Sequence, residues 1–204
     1  MKLVLASNSP RRKQLLTDLG LPFEVRLREV AEDFPPHLRR AAVAEYLAAH
    51  KAAAYANDLA ADEIVLTADT IVCLADDVLN KPADTAEAHA MLTRLQGRAH
   101  EVYTGVCLLA GAAAGVAPTQ TVFSDCATVH FRALSAPEIA YYIARCQPFD
   151  KAGAYGAQDW IGLAAITRLE GSYFTVMGLP THRIWEELTR LDASLTLRLM
   201  KNEE

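Results

Sequence analysis

The sequence predicts an α/β protein, a mixed central sheet flanked by helices around a cleft. Early in the chain, apolar strand-like runs alternate with helical patterns, as they do where helices cover a sheet. Later the β-rich runs follow one another directly, which points to antiparallel pairs and so to a mixed sheet. The chain has 204 residues, 51% of them hydrophobic and 22% charged, enough to bury a core without disulfide staples. No repeat or low-complexity linker interrupts it. One domain is therefore expected over residues 1–197, as a single body or as two lobes around one cleft, with 198–204 as a loose tail.

Each element has its own signal. Lys2–Ala6 reads as a short buried strand, and Ser9–Leu19 as a helix: Ser9 suits the N-cap, Pro10 the first helical position and Gly20 the stop. Leu15, Leu16 and Leu19 give it an apolar stripe. Phe23–Arg28 reads as a second strand. An Ala-rich helix over Leu38–Leu59 would turn Val43, Tyr46 and Leu47 to the core. The run IVLTADTIVCL, within Glu63–Leu74, is a strand region interrupted by Asp69 and Thr70. Asp84 and Glu87 resemble a capping box for a helix ending near Leu95, with Gly97 behind it. Val102–Leu109 and Thr121–Phe131 pair as strands across the loop GAAAG. Ser135 and Glu138 form a second capping box, before a helix carrying Ile139, Tyr142 and Ile143. Beyond the glycine-punctuated loop Asp150–Gly156, strands are expected at Leu163–Leu169 and Tyr173–Val176, and Pro180 opens a last helix through Leu188.

Composition excludes some classes of function. A net charge of −5 argues against a protein that grips nucleic acid mainly by charge, though not against single nucleotides. The apolar part of MKLVLASNSPRR is too short for a signal peptide, and no apolar run reaches the roughly 18–20 residues of a membrane span. Cys73, Cys107, Cys126 and Cys146 are widely spaced, and three lie in apolar strand-like runs, which reads as buried free thiols. A soluble cytoplasmic protein is expected.

Four segments carry chemistry. In Ser7-Asn8-Ser9-Pro10-Arg11-Arg12 a strand hands over to a helix, where backbone N–H groups and the helix dipole favour anions. Two arginines in the first turn oppose that dipole unless an anion sits nearby. A phosphate cradle and a solvated basic turn both fit the spacing. Ala68-Asp69-Thr70 places a carboxylate inside an apolar strand, which costs several kcal/mol unless it meets a partner, a metal ion or a cleft water; a structural turn carboxylate is the alternative. Asn80-Lys81-Pro82 marks a turn whose lysine either reaches phosphate or is simply solvated. In Asp150-Lys151-Ala152-Gly153-Ala154-Tyr155-Gly156-Ala157-Gln158, two glycines allow close backbone approach beside a carboxylate, an ammonium and an amide. The six histidines show no HExxH or HxH spacing, and Trp160 and Trp185 read as packing residues.

These segments, in this order, resemble the Maf family: LASNSPRRKQLLTDLG, LTADTIV, NKPADTAEAHAMLTRLQGRAHEVYTGV, and DKAGAYGAQ followed by GSYFTVMGLP. The resemblance covers nearly the whole chain. It implies an inosine triphosphatase-like α/β fold with a deep cleft, often dimeric. It also implies hydrolysis of nucleoside triphosphates between the α- and β-phosphates with a divalent metal, Mg²⁺ or Mn²⁺. The DKAGAYG-x-Q loop is similar to that of the branch acting on dTTP and UTP. By the same resemblance Asp69 matches the catalytic acid/base position, while Arg11, Thr70 and Gln158 match positions tied to substrate choice. Glu32, Lys51, Lys81 and Lys151 match further cleft residues. The expected site thus has Asp69, Glu32 and Lys81 as catalytic groups and Asp69 with Glu32 as metal ligands. Ser7, Ser9, Arg11, Arg12, Lys51, Thr70, Lys151 and Gln158 would bind substrate. Asn80 stands where glycine or glutamate is common, and Asp159-Trp160 where glycine usually follows the glutamine. The same reaction on 7-methyl-GTP or modified nucleotides, a nucleotide- or nucleic-acid-binding regulator of cell division, and a structural interaction protein are the alternatives.

Overall fold

The computed structural model describes residues 1–112, 117–193 and 195. The GAAAG loop falls partly outside these residues, and the expected tail at 198–204 wholly so. Strand β1 (Lys2–Leu5) leads into α1 (Pro10–Asp18), β2 (Phe23–Val25) and α2 (Ala41–Ala53). The long strand β3 (Glu63–Leu74), the short β4 (Asp77–Leu79), α3 (Thr85–Leu95), β5 (Ala99–Ala110) and β6 (Thr119–Phe131) follow. The remaining elements are α4 (Ala136–Cys146), α5 (Trp160–Ala165), β7 (Ile166–Glu170), α6 (Tyr173–Met177) and α7 (Thr181–Leu191). Two 3₁₀ turns, Pro148–Asp150 and Ala152–Ala154, lie between α4 and α5.

Among the described residues the strands form one mixed sheet in the order β2-β1-β3-β5-β6-β7, with β4 added to β3. β1 is parallel to both β2 and β3, whereas β3 is antiparallel to β4 and β5. Because β2 and β3 lie on opposite sides of β1, the chain switches direction at the carboxyl end of β1. In open α/β sheets such a point opens a crevice.

The edge of β3 that faces β1 sharpens this crevice. β1 pairs with it from Glu63 to Leu66, and β4 pairs with it only from Val72 to Leu74. Between them the segment carrying Ala68, Asp69 and Thr70 has a strand partner on the β5 side alone.

Side chains alternate across the sheet. One face packs on α2, where Val4, Val65 and Cys107 meet Ala48 and Ala52, and Ile71, Cys73 and Tyr103 meet Val43 and Leu47. The other face carries two cores. Leu5, Leu66 and Val106 pack on Leu16 of α1 and on Ile184 and Leu188 of α7, while Val72, Val102 and Val129 pack on Leu92, Tyr142 and Ile161 of α3, α4 and α5. Thr70 and Thr104, directly opposite each other in register, lie on β3 and β5 between the two cores.

Most element signals correspond to elements here, with instructive differences. Helix α1 has Ser9 at its N-cap and Gly20 at φ +75° behind it. The Ser135–Glu138 capping box is fully formed, and Asp84 accepts the Glu87 N–H. β3 runs straight through Asp69 and Thr70, because β5 pairs with it along that whole stretch. Helix α2 is shorter than its alanine pattern, and Tyr46 lies on its outer side. The two strands expected after residue 160 are corrected. Residues 160–165 form α5 and only Ile166–Glu170 is strand, while Tyr173–Met177 is a short helix. Gly171 and Gly178, at φ +107° and +105°, close both ends of that segment, and contacts on β5 and β6 override its strand-like composition.

Candidate active site

A cleft of about 820 Å³ opens where β1 ends and the β3 edge is free. Its walls are the Ser7–Arg12 turn, the Leu27–Glu32 segment, Leu47, Lys51 and Tyr55 of α2, the middle of β3, Asn80-Lys81, the Asp150–Gln158 loop and Val176–Gly178. Every residue of the expected site lines this one cleft.

On the α2 face, charges alternate in a row. Lys51 Nζ lies 2.5 Å from Asp69 Oδ1 and 2.8 Å from Glu32 Oε1, and Lys81 Nζ lies 2.7 Å from Glu32 Oε2. Asp69 is buried, so its carboxylate meets the partner that its burial demands. Burial works against ionisation of Glu32, but the hydrogen bonds from Lys51 and Lys81 outweigh it and hold the carboxyl at about 2. An ammonium has three donors; Lys51 has spent two and Lys81 one on these carboxylates.

A second row crosses the mouth. Arg11 Nη1 lies 3.4 Å from Asp150 Oδ2, and Lys151 Nζ lies 2.7 Å from Asp150 Oδ1 and 3.7 Å from Asp159 Oδ2. The Tyr142 hydroxyl donates to Asp159 at 3.1 Å and accepts the Gly156 N–H at 3.1 Å. These bonds tie the loop before α5 to α4.

Arg12 differs from both rows. Its Nε donates to Gly178 O (2.8 Å), its Nη1 to Ala68 O (2.8 Å) and Ser7 Oγ (3.3 Å), and its Nη2 to Thr70 Oγ1 (3.1 Å). Burial lowers its proton affinity first of all, while Asp69 opposes that effect. Ser7 Oγ also accepts the Ser9 N–H at 3.3 Å. The Ser9 side chain caps nothing, so the first-turn N–H groups of α1 have no side-chain cap.

The cleft therefore has two ends. The carboxylate–lysine row lies toward α2. On the opposite face Thr70, Val72, Val102, Tyr155, Gln158 and Val176 line the other end, with Arg12 bonded to Thr70. Gln158 Oε1 is buried there without a hydrogen-bond partner. Two carboxylates sharing one ammonium are a donor set suited to a hard divalent cation that completes its shell with phosphate oxygens. Among the described residues no cluster of three or more His, Cys, Asp or Glu side chains forms an all-protein metal cage. Asp69 and Glu32 are the two carboxylates that would hold such an ion.

Sequence reasoning did not assign Asp150, Asp159, Tyr142 or Thr104 to the site. Asp150 stood in a segment already singled out, and Asp159 was visible as a departure from the family pattern. Thr104 carried the signal that found Asp69, a polar side chain inside an apolar strand. Nothing local in the sequence reveals Tyr142.

Fold and site define an α/β protein with a cation-lined crevice at a topological switch point. The chain belongs to the Maf family: the family model described as "Maf-like protein" matches residues 2–191. A protein of Phocaeicola vulgatus named dTTP/UTP pyrophosphatase is 47% identical over 191 residues, which cover 93% of this chain and 96% of that protein. A Flavobacterium johnsoniae protein of the same name is 44% identical over 190 residues, covering 93% and 95%. A crystal structure titled nucleoside-triphosphatase/dITP/XTP pyrophosphatase from Mycobacterium abscessus is similar at 15% identity and a TM-score of 0.45, covering 99% of this chain and 97% of that one. Among the described residues no helix is long and apolar enough to cross a membrane.

Proposed function

We propose that this chain hydrolyses nucleoside triphosphates, dTTP and UTP foremost, to the monophosphate and pyrophosphate by attack of water on the α-phosphorus. The observation that carries the reading is the Lys81–Glu32–Lys51–Asp69 row at the open edge of β3, beside the start of α1. The names of the relatives at 44–47% identity support it.

The transition state of such a reaction spreads negative charge over oxygens, so charge neutralisation matters more than covalent help. Asp69 takes the proton of the attacking water. Lys51 holds that carboxylate in place and has one N–H left for a phosphate oxygen; Lys81 has two. Arg11, Lys151, Ser7, Ser9 and the first turn of α1 receive the remaining phosphate oxygens. Arg12 keeps its positive charge nearby while holding the turn against β3. A divalent cation, Mg²⁺ or Mn²⁺, held by Asp69 and Glu32, would supply Lewis acidity and further charge neutralisation. Thr70 and Gln158 face the base; Gln158 has the donor and acceptor that a uracil or thymine edge requires. The reading takes the enzyme as a cytoplasmic homodimer acting on free nucleotides, and a net charge of −5 supports a protein that does not hold nucleic acid by charge.

The test is pyrophosphate release from dTTP, UTP, CTP, dATP, GTP and 7-methyl-GTP, with Mg²⁺, Mn²⁺ or chelator, for the wild type and Asp69→Asn. Metal-dependent turnover favouring dTTP and UTP is expected, with Asp69→Asn folded but slower by orders of magnitude. A preference for 7-methyl-GTP would discard the substrate assignment. Undiminished turnover in Asp69→Asn would discard the role of that carboxylate.

A further inference from the structure

Arg12, Thr70, Thr104 and Thr175 form a line of hydrogen bonds between the two cores of the α1/α7 face, and its hydrogens can be counted. The Thr104 hydroxyl donates to Thr175 O at 2.8 Å; a carbonyl can only accept, so the single hydrogen of Thr104 is committed. Thr70 Oγ1 and Thr104 Oγ1 are 2.9 Å apart, and the hydrogen between them must come from Thr70. Arg12 Nη2 donates to Thr70 at 3.1 Å. A hydroxyl has one donor and two acceptor sites. Thr70 has spent its donor and one acceptor, leaving one lone pair and no hydrogen for anything in the cleft that it lines.

We propose that Thr104 is a positioning residue that fixes Thr70 as a pure hydrogen-bond acceptor, and that this order selects a base edge carrying a ring N–H. The proposal rests on the nucleoside triphosphate reading above and deepens it. Uracil and thymine present N3–H between two carbonyls, which Thr70 can accept. Cytosine presents a bare N3 lone pair at the same place, and two acceptors then face each other with no hydrogen between them. Gln158, whose Oε1 is buried without a partner, has both a donor and an acceptor and does not by itself impose this distinction. Thr104 is fully buried, so it touches no ligand itself and reaches the base through Thr70. Its location on β5, directly across from Thr70 in the ladder, fixes the geometry of the pair.

The experiment compares kcat/KM for UTP and CTP, substrates with the same sugar and phosphates, in the wild type, Thr104→Val and Thr104→Ser. Valine keeps the shape but removes the acceptor, so the Thr70 hydroxyl can turn its hydrogen into the cleft. Thr175 O retains the Gly178 N–H at 3.1 Å, and the Thr175 hydroxyl still donates to Asp125 on β6, which keeps α6 on the sheet. The UTP-over-CTP ratio should fall about tenfold or more in Thr104→Val and be restored in Thr104→Ser. A merely structural role would slow both substrates alike, so an unchanged ratio in folded Thr104→Val overturns the proposal. Should that variant not fold, 3-methyl-UTP given to the wild type decides. It lacks the N3 hydrogen and should be refused; turnover equal to that of UTP overturns the proposal. A wild type that hydrolyses UTP and CTP equally well overturns the proposal but keeps the pyrophosphatase reading, whereas one that hydrolyses neither overturns both.

Discussion

Lys51 stands between Asp69 and Glu32, its ammonium within 2.5 Å of one carboxylate and 2.8 Å of the other. Asp69 comes from the middle of β3, Glu32 from the segment after β2, and Lys51 from α2. One cation therefore joins three parts of the chain at the open sheet edge.

Replacing it with an uncharged chain of similar length, Lys51→Met, leaves two neighbouring carboxylates, one of them buried, with no ammonium between them. The variant should lose about 3 kcal/mol of stability and turn over at least a hundredfold more slowly. Urea unfolding and steady-state kinetics check the two effects separately.

The acid limb of stability should carry the signature of Glu32. Its carboxyl is held at about 2 in the folded protein, against 4.5 in an ordinary glutamate. The unfolded chain thus takes up its proton first as pH falls. The contribution is complete above pH 4.5 and disappears toward pH 2. Glu32 is about half exposed, so screening limits the effect to under about 1 kcal/mol. Urea midpoints at pH 5, 4 and 3 should fall less steeply in Glu32→Gln than in the wild type.

A larger dependence should come from His100, which is buried with Nε2 2.8 Å from the Tyr155 hydroxyl and Nδ1 without a partner. Burial, aided by His130, lowers its pKa from 6.5 to about 4. Below pH 6.5 the unfolded chain binds a proton that the folded chain refuses. Stability is therefore full above that pH and declines as pH falls toward 4, by on the order of 3 kcal/mol. In His100→Leu the unfolding free energy should be nearly flat over this window, apart from the carboxylates.

Tyr142→Phe removes the hydroxyl that accepts the Gly156 N–H and donates to Asp159. The buried Gly156 N–H is then left unpaired, at a cost of about 1–3 kcal/mol. The loop carrying Gln158 loosens, while the carboxylate row on the far side of the cleft is untouched. KM should rise severalfold with a smaller change in kcat, and thermal unfolding should shift down.

Local signals fixed most of the fold. The Ser135–Glu138 box, the Asp84 cap and the glycines at 20 and 97 each act within one turn of chain, so the sequence displays them directly. Tyr173–Met177 misled because its aromatic and β-branched residues favour strands, whereas its helix depends on Thr175 reaching Thr104 and Asp125 across the sheet. The strand β4 spans three residues, too few for a periodicity. The site divides in the same way. Asp69 was conspicuous as a charge in an apolar run, but Glu32 and Lys51 look like ordinary surface residues until the fold brings them to it. Family resemblance, not local physics, had named them.

The interrupted edge of β3 also acts as a ruler. β1 lets go of that edge after Leu66 and β4 takes it up at Val72, so the turns after β1 and β4 hang from one strand at a set separation of about 20 Å. Loops elsewhere can lengthen without disturbing that gauge. One residue gained or lost between Leu66 and Asp69 would instead move the side chains that follow to the opposite face, exchanging the places of the Asp69 carboxylate and the Thr70 hydroxyl. Insertions and deletions compatible with activity are thereby confined to the periphery, and the middle of β3 can evolve only by substitution.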